Sequence, residues 1–422
     1  MIGHDEALSI VLDQVVRLEP DACPVSLARG CVLAKTVRSA ASLPPFDNAA
    51  MDGFALRVDD HGAPAGAVFA VSGIQAAGDP ARGFDGEAVE VTTGACVPVG
   101  LNTIVPVEQV EVQERDDAGT VLRIRLRNAA PIRQHIRRAG EDVAPNMPIM
   151  GAGELVQPQH LMLLEALGLT HVAVTRKPRI AVICTGRELV DEPAQALESG
   201  QIRNSNGPFL AARIAAAGAQ CVYRTTVGDE PDRFLAGLAQ AQQARADMVL
   251  STGAVSMGRH DFIPDVLRAS GATVLFHGVR IRPGKPLLFA RLSDGVPFLG
   301  LPGNPVAAAV GFRFFAEPAL RAMLGMPRER PLQVPLHAAF DKRAPMSFYL
   351  KARLFADAQG GLGTTALPGQ ESFRIFPLVG ANAWIGIPEE ASEMAAGRLV
   401  DVYGLGHLQP PGIDFEMNEV IR

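Results

Sequence analysis

Several common classes are excluded by what this chain lacks. Its five cysteines (Cys23, Cys31, Cys96, Cys184, Cys221) are odd in number and widely spaced. With no C-x-x-C pair they suggest neither a zinc knuckle nor a disulfide framework. No uncharged apolar run approaches the ~20 residues of a membrane span. Residues 3–18 carry Asp5 and Glu6 on a helical apolar pattern, not the basic-then-apolar order of a signal peptide. A formal net charge of -6 argues against nucleic acid or an anionic membrane as partner. Neither a Walker A sequence nor G-x-G-x-x-G is present, which weakens P-loop and dinucleotide-binding readings. Lysine is scarce among the basic residues, so a lysine inside a motif is more informative than usual. The expectation is a soluble cytoplasmic protein.

What is present is a well-packed globular composition, 48% hydrophobic and 20% charged over 422 residues, enough for two to four domains. Helical spacing over 3–18 and "GCVLAKTV" predicts two N-terminal helices. From about 65 to 145 short alternating segments such as "AVFAVSG", "EAVEVTTG" and "TVLRIRLRN", separated by Gly, Pro and Asp turns, predict a β-rich module. It reads as an insertion, because "LMLLEALGL" returns to helix period and ends at Gly168, a suitable C-cap. From about 178, "RIAVICTG", "CVYRTTVGD", "DMVLSTG", "TVLFHGVRI" and "FLGLPGNP" alternate with helical stretches. Strands buried on both faces and interleaved with helices predict a doubly wound, three-layer α/β domain with a largely parallel sheet. Beyond about 328, strands return as a C-terminal β module. The fold class is thus multidomain α/β plus β.

In such a sheet, ligands bind at the carboxyl ends of the strands. Those ends here are rich in Gly, hydroxyl, acid and base: "CTGREL", "TTVGDEPD", "STGAVSMGRHD" with Ser251 and Gly253, "RIRPGKP" and "GLPGNPVAAA". In the last, Asn304 suits an N-cap and Pro305 the first helical position, so Gly303 and Asn304, just after Pro302, would present free N–H groups to an anion. A capped helix is the plain alternative. Arg282 and Lys285 flank a Pro-Gly turn that would hold two cations at a defined separation. Glu188, Asp229 and Asp261 follow three strand ends and could converge on a divalent cation such as Mg2+; capping is the plain alternative for the two aspartates. His61, His171 and His337 lack metal-ligand spacing, whereas His260 and His277 lie near the proposed cleft. In the insertion, "LPPFDNAAMDGFAL" sets two acidic turns on an apolar stretch. Asp52 is either a simple Asp-Gly turn or a carboxylate aimed at a ligand.

"PPFDNAAMDGFAL", "TTGACVP", "IRRAGEDV", "STGAVSMGRHDF", "RIRPGKP" and "GLPGNPVAA" stand in the order and spacing of the molybdopterin molybdenumtransferases, the MoeA type similar to the E domain of gephyrin. The resemblance covers essentially the whole chain. The smaller molybdopterin adenylyltransferases resemble only the α/β domain. The family inserts molybdenum from molybdate into adenylylated molybdopterin and releases AMP with a cation such as Mg2+. The resemblance implies four domains: 1–42 with 146–177 (linking and dimerisation), 43–145 (inserted, β-rich), 178–327 (α/β, molybdopterin-binding) and 328–422 (C-terminal β). It implies a homodimer in which the insertion of one subunit faces the α/β cleft of the other. A molybdopterin adenylyltransferase and molybdoenzyme chaperones are the further partners implied.

By the same resemblance Asp52, Thr93, Asp142, Glu188 and Lys285 are catalytic. Arg137, Arg282, Pro302, Pro305 and Ser372 contact substrate, with Ser251, Gly253, Gly303 and Asn304 beside them, and Glu188, Asp229 and Asp261 hold metal. Ala49 stands where the family often has Ser, Phe54 where Tyr is common, and "VPVEQVE" replaces a "VVMQED"-like segment. Gly278 replaces a frequent Lys or Arg, so an anion contact is missing or is supplied by His277 or Arg280. Two alternatives accompany this reading: a related adenylyltransferase or pyrophosphatase, and a non-catalytic dimeric scaffold.

Overall fold

The computed structural model describes residues 1–255, 261–342 and 345–415. The N-terminal helix is shorter than its periodicity suggests, His4–Asp13. The segment "GCVLAKTV" is not a helix. Its Val32–Leu33 pairs with Val174 and Thr175, and its Val37–Arg38 pairs with Pro148–Met150. β-branched valines favour these extended pairings, which come from far along the chain. Residues on both sides of the β-rich stretch therefore share one small unit, and the stretch between them is inserted into it. The inserted sheet has six strands in the order Thr103–Pro106, Gly53–Leu56, Ala88–Val91, Val68–Gln75, Val121–Leu126, Val110–Arg115. The helix Pro158–Ala166 follows, and Gly168 adopts φ 69 just beyond it.

The second large sheet is built from β1 (Arg179–Thr185), β2 (Gln220–Val227), β3 (Met248–Thr252), β4 (Thr273–His277), β5 (Leu288–Arg291) and β6 (Pro297–Leu301). Their order is β2-β1-β3-β6-β5-β4. The first four are mutually parallel; β5, which the sequence pattern did not single out, runs antiparallel and carries β4 as an edge. Alternate residues of β1 and β3 enter two separate cores, as a period of two requires. Ile180, Val182, Cys184 and Leu250 pack with Leu210 and Ile214 of α1 (Asn206–Ala216) and with Val306 and Val310 of the helix that begins at Pro305. Ala181, Ile183 and Val249 face the other way, onto Phe234 and Leu238 of α2 (Pro231–Gln243) and Ile263 and Leu267 of α3 (Ile263–Ala269). Each fully buried Phe or Leu contributes about 1.5–3 kcal/mol, so the two cores hold β1 and β3 rigidly and fix their carboxyl ends in space.

The C-terminal sheet is centred on Ser347–Ala356, which pairs with Ala383–Ile387 and Leu362–Ala366. It also takes in Ile281–Arg282, parallel to Ser347–Phe348. The basic turn expected at a strand end of the α/β sheet therefore starts on the edge of a different sheet.

Candidate functional site

At the carboxyl ends of β1, β2, β3 and β6 lies a cleft of about 820 Å3. β1 delivers Thr185 and Gly186 to it and β3 delivers Thr252 and Gly253, while Asp229 follows β2 and Pro302 follows β6. Glu188, Asp229 and Asp261 all line this cleft. Neither aspartate occupies the N-cap position itself, which is Glu230 in α2 and Phe262 in α3. The carboxylates of Glu188 and Asp229 enter no ion pair among the described residues. Yet no group of three or more His, Cys, Asp or Glu side chains close enough to hold a metal ion occurs among the described residues. The acids share a cleft without closing into a cage. His260 lies outside the described residues.

Pro302, Gly303, Asn304 and Pro305 form one wall. Asn304 occupies the N-cap position of α4 (Pro305–Gly311), but its side chain makes no capping bond. The Val306 N–H is not free either; it donates to the Ser372 carbonyl at 3.0 Å. One donor of the helix start beyond Gly303 and Asn304 is thus used to fasten the C-terminal module to the cleft. Ser372 itself does not line the cleft, but its neighbours Phe373 and Ile375 do.

Other expected contacts fall elsewhere. Ser251 is wholly buried in β3, and its Oγ has no hydrogen-bond partner. The strand is buried along its whole length, Met248–Thr252, and Ser251 does not line the cleft. Arg282 borders a separate cavity of about 300 Å3 beside Phe348, its guanidinium carbon 5.6 Å from that ring's centre. Lys285 is exposed and lines neither cavity, although the adjacent Pro286 reaches the cleft. At Gly278 the backbone takes φ 91, and an added Cβ would lie 3.0 Å from Met1 Cγ. The N-terminus covers this position, which accounts for glycine there. Both proposed substitutes already have partners: Arg280 pairs with Glu389 at 2.6 Å and with the Met1 carbonyl, and His277 Nε2 lies 2.6 Å from the Val255 carbonyl.

A second cluster forms on the insertion. The segment 47–50 is held between two others: the Ala49 N–H donates to the Ala95 carbonyl, the Val97 N–H to the Asp47 carbonyl and the Ala50 N–H to the His135 carbonyl. Arg137 pairs in register with Asn48, and the Asp142 N–H donates to the Leu43 carbonyl. Asp52 Oδ1 accepts from the Thr93 N–H at 2.6 Å and from the Thr93 hydroxyl at 2.9 Å. These two bonds, the backbone one foremost, hold the Asp52 carboxyl below the ordinary aspartate range. Asp52, Thr93, Arg137 and Asp142 are thus gathered on one exposed region, but none of them lines the cleft of their own chain.

Comparison with known proteins decides the family. Residues 2–168 match the MoeA N-terminal region (domains I and II), 181–322 the probable molybdopterin binding domain, and 333–405 the MoeA C-terminal region (domain IV). The chain is 34% identical over 418 residues to the molybdopterin molybdenumtransferase of Synechococcus elongatus, covering 96% of this chain and 100% of that one. It belongs to the MoeA family of molybdopterin molybdenumtransferases. Molybdopterin molybdenumtransferase 2 of Mycobacterium tuberculosis is 35% identical over 420 residues, with 96% and 100% of the two chains covered. The crystal structure of the molybdopterin biosynthesis MoeA protein of Pyrococcus horikoshii OT3 superposes with a TM-score of 0.80 at 26% identity, over 95% of this chain and 99% of that one.

For this MoeA-family chain, sequence reasoning missed a whole wall of the cleft. Arg203, Asn204, Ser205 and Asn206 line it, and Asn206 donates to the Gly303 carbonyl at 2.7 Å, tying the start of α1 to the turn before α4. The polar run "RNSN" before a helix was the available signal. Cys184 is wholly buried in the core behind Gly207, and that burial pushes its thiol up, away from nucleophilic use.

Proposed function

We propose that the cleft binds adenylylated molybdopterin and that the protein inserts molybdenum from molybdate into it with release of AMP, within molybdenum cofactor biosynthesis. The observation that carries this reading is the meeting of three carboxylates with the Pro302–Pro305 turn at the strand ends of a chain that matches the family along nearly its full length. The substrate and molybdate are both anionic, so recognition in the cleft would use the backbone N–H groups of Gly303 and Asn304. Arg282 and Lys285, which lie outside it, would meet an anionic part of the substrate that extends beyond the cleft. Catalysis would consist of positioning and electrostatic stabilisation, without a covalent nucleophile.

The donors in the cleft suit a hard cation such as Mg2+. That ion is commonly held by one or two carboxylates, with water and substrate phosphate filling its remaining positions. Glu188, Asp229 and Asp261, a set of oxygen donors without a closed cage, fit that mode and would hold it. When bound it would supply neutralisation of the phosphate charge.

The two-faced packing of β1 and β3 supports the doubly wound, three-layer reading of residues 178–327. The exposed cluster of Asp52, Thr93, Arg137 and Asp142 supports a homodimer in which that cluster completes the partner's cleft. The test is reconstitution: adenylylated molybdopterin, molybdate, Mg2+ and the purified protein should yield AMP and activate an apo-molybdoenzyme. Turnover of ATP on molybdopterin without molybdate, or ligand-peptide binding with no molybdenum insertion, would overturn it.

A further inference from the structure

Glu188 sits on an arm, Gly186–Arg203, that leaves the end of β1 and returns to the start of α1. The arm closes on itself through a short parallel pair, Leu189–Val190 with Ile202–Arg203. The Ile202 N–H donates to the Glu188 carbonyl at 2.8 Å, and the Asn204 N–H to the Val190 carbonyl at 3.0 Å. These bonds set the arm's internal shape but do not attach it to the sheet. Its root is tied to the end of β2, where the Gly186 N–H donates to the Val227 carbonyl at 3.0 Å. The far side is attached by Asn204, a residue only 7% exposed. Its Nδ2 donates to Asp191 Oδ1 at 2.9 Å and to Thr226 Oγ1 at 2.8 Å, and its Oδ1 accepts from the Gly207 N–H at 3.0 Å. One amide thus joins the arm, the end of β2 and the first turn of α1.

We propose that Asn204 is a positioning residue, fixing the Glu188 arm at the rim of the cleft; the inference rests on the reading of that cleft as the substrate site. The bond pattern needs two donors and an acceptor on one short planar group, which only a carboxamide supplies at this length. Aspartate in its place would keep the acceptor toward Gly207 but set a second carboxylate against Asp191. Gly207 supports the same geometry independently. A Cβ there would stand 2.9 Å from Asn204 Nδ2 and 3.2 Å from Cys184 Sγ, so the close approach of helix to amide requires glycine.

The test uses the full chain and two readouts: affinity for adenylylated molybdopterin and amide hydrogen exchange. Asn204→Asp should weaken that affinity about tenfold and speed exchange at Ile202 and Asn204 by a similar factor, leaving β1 and β3 unchanged. Gly207→Ala should act in the same direction. The reciprocal double variant Asp191→Asn with Asn204→Asp restores a donor–acceptor pair and should recover both readouts. Unchanged affinity despite a loosened arm would overturn the proposal. So would faster exchange throughout β1 and β3, or a double variant no better than the single one. Failure of the unaltered protein to bind adenylylated molybdopterin would instead sink the substrate reading, while the exchange pattern and its rescue would still decide whether Asn204 anchors the arm.

Discussion

The α/β cleft and the acidic turn of the insertion hold surface carboxylates in opposite ways. Asp52 is already occupied, with two donors from Thr93 on a single oxygen. Glu188 and Asp229 stand at strand ends without ion pairs among the described residues. A carboxylate with bonded donors is kept ionised and aimed. One without partners keeps its lone pairs for whatever enters the cleft, a cation above all. The contrast suggests a division of labour: the insertion presents a fixed negative charge, and the cleft offers ligands that complete their coordination only with substrate.

The sharpest way to break this comparison is to ask whether the two regions serve one site. Asp52→Ala and Lys285→Ala should each abolish activity. If the insertion completes the partner's cleft, co-expression gives mixed dimers with one doubly damaged site and one intact site. Random pairing should then return about a quarter of the sites. Verified mixed dimers with no recovered activity would show that the regions do not meet across a subunit boundary.

A smaller but still large effect is expected at Glu188. Removing its charge with Glu188→Gln should reduce Mg2+-dependent AMP release by roughly the 10–100-fold that loss of a group around a metal costs. The Tm should hardly change, because no ion pair among the described residues is lost. A fall in Tm with AMP release intact would make Glu188 a structural acid and erase the distinction from Asp52.

Much of this contrast was legible in the sequence, for identifiable reasons. "RIAVICTG" reads as a strand buried on both sides because every residue from Ile180 to Thr185 is in fact buried. The acids at the strand ends follow from the general placement of sites in parallel sheets. What escaped depended on partners distant in sequence. "GCVLAKTV" has the residues of a helix, but its valines pair with strands beyond the insertion. The "RIRPGKP" turn has the pattern of an α/β strand end, but its Ile281–Arg282 pairs with Ser347–Phe348 of the C-terminal sheet. Asn304 had the identity of a helix cap but not the side-chain bond, and Asn204, unremarked in "IRNSNG", makes three. Composition can propose a hydrogen bond, but packing decides which polar side chain makes it.

The smallest effect is expected at Thr93, where the comparison can be refined without being destroyed. Of the two bonds that hold Asp52, the one from the backbone N–H is the stronger influence and does not depend on the side chain at 93. Thr93→Val deletes only the hydroxyl. The Asp52 titration midpoint, followed by carboxyl NMR, should therefore rise but remain below the ordinary value of 3.8. The sign of the pH effect follows. A depressed carboxyl pKa contributes stability that is present above pH 3.8 and lost as the pH falls through the folded-state value. In the valine variant that contribution should be smaller above pH 3.8 and fully lost at a higher pH than in the unaltered protein, so the two differ near neutrality and converge in acid below both folded-state values. Activity at neutral pH should fall far less than in Asp52→Ala, because the carboxylate stays ionised and is still aimed by the backbone. A midpoint that does not move would mean the hydroxyl does not bond Asp52 in solution. Loss of activity as complete as in Asp52→Ala would mean that Thr93 acts on the substrate directly and does not merely hold Asp52.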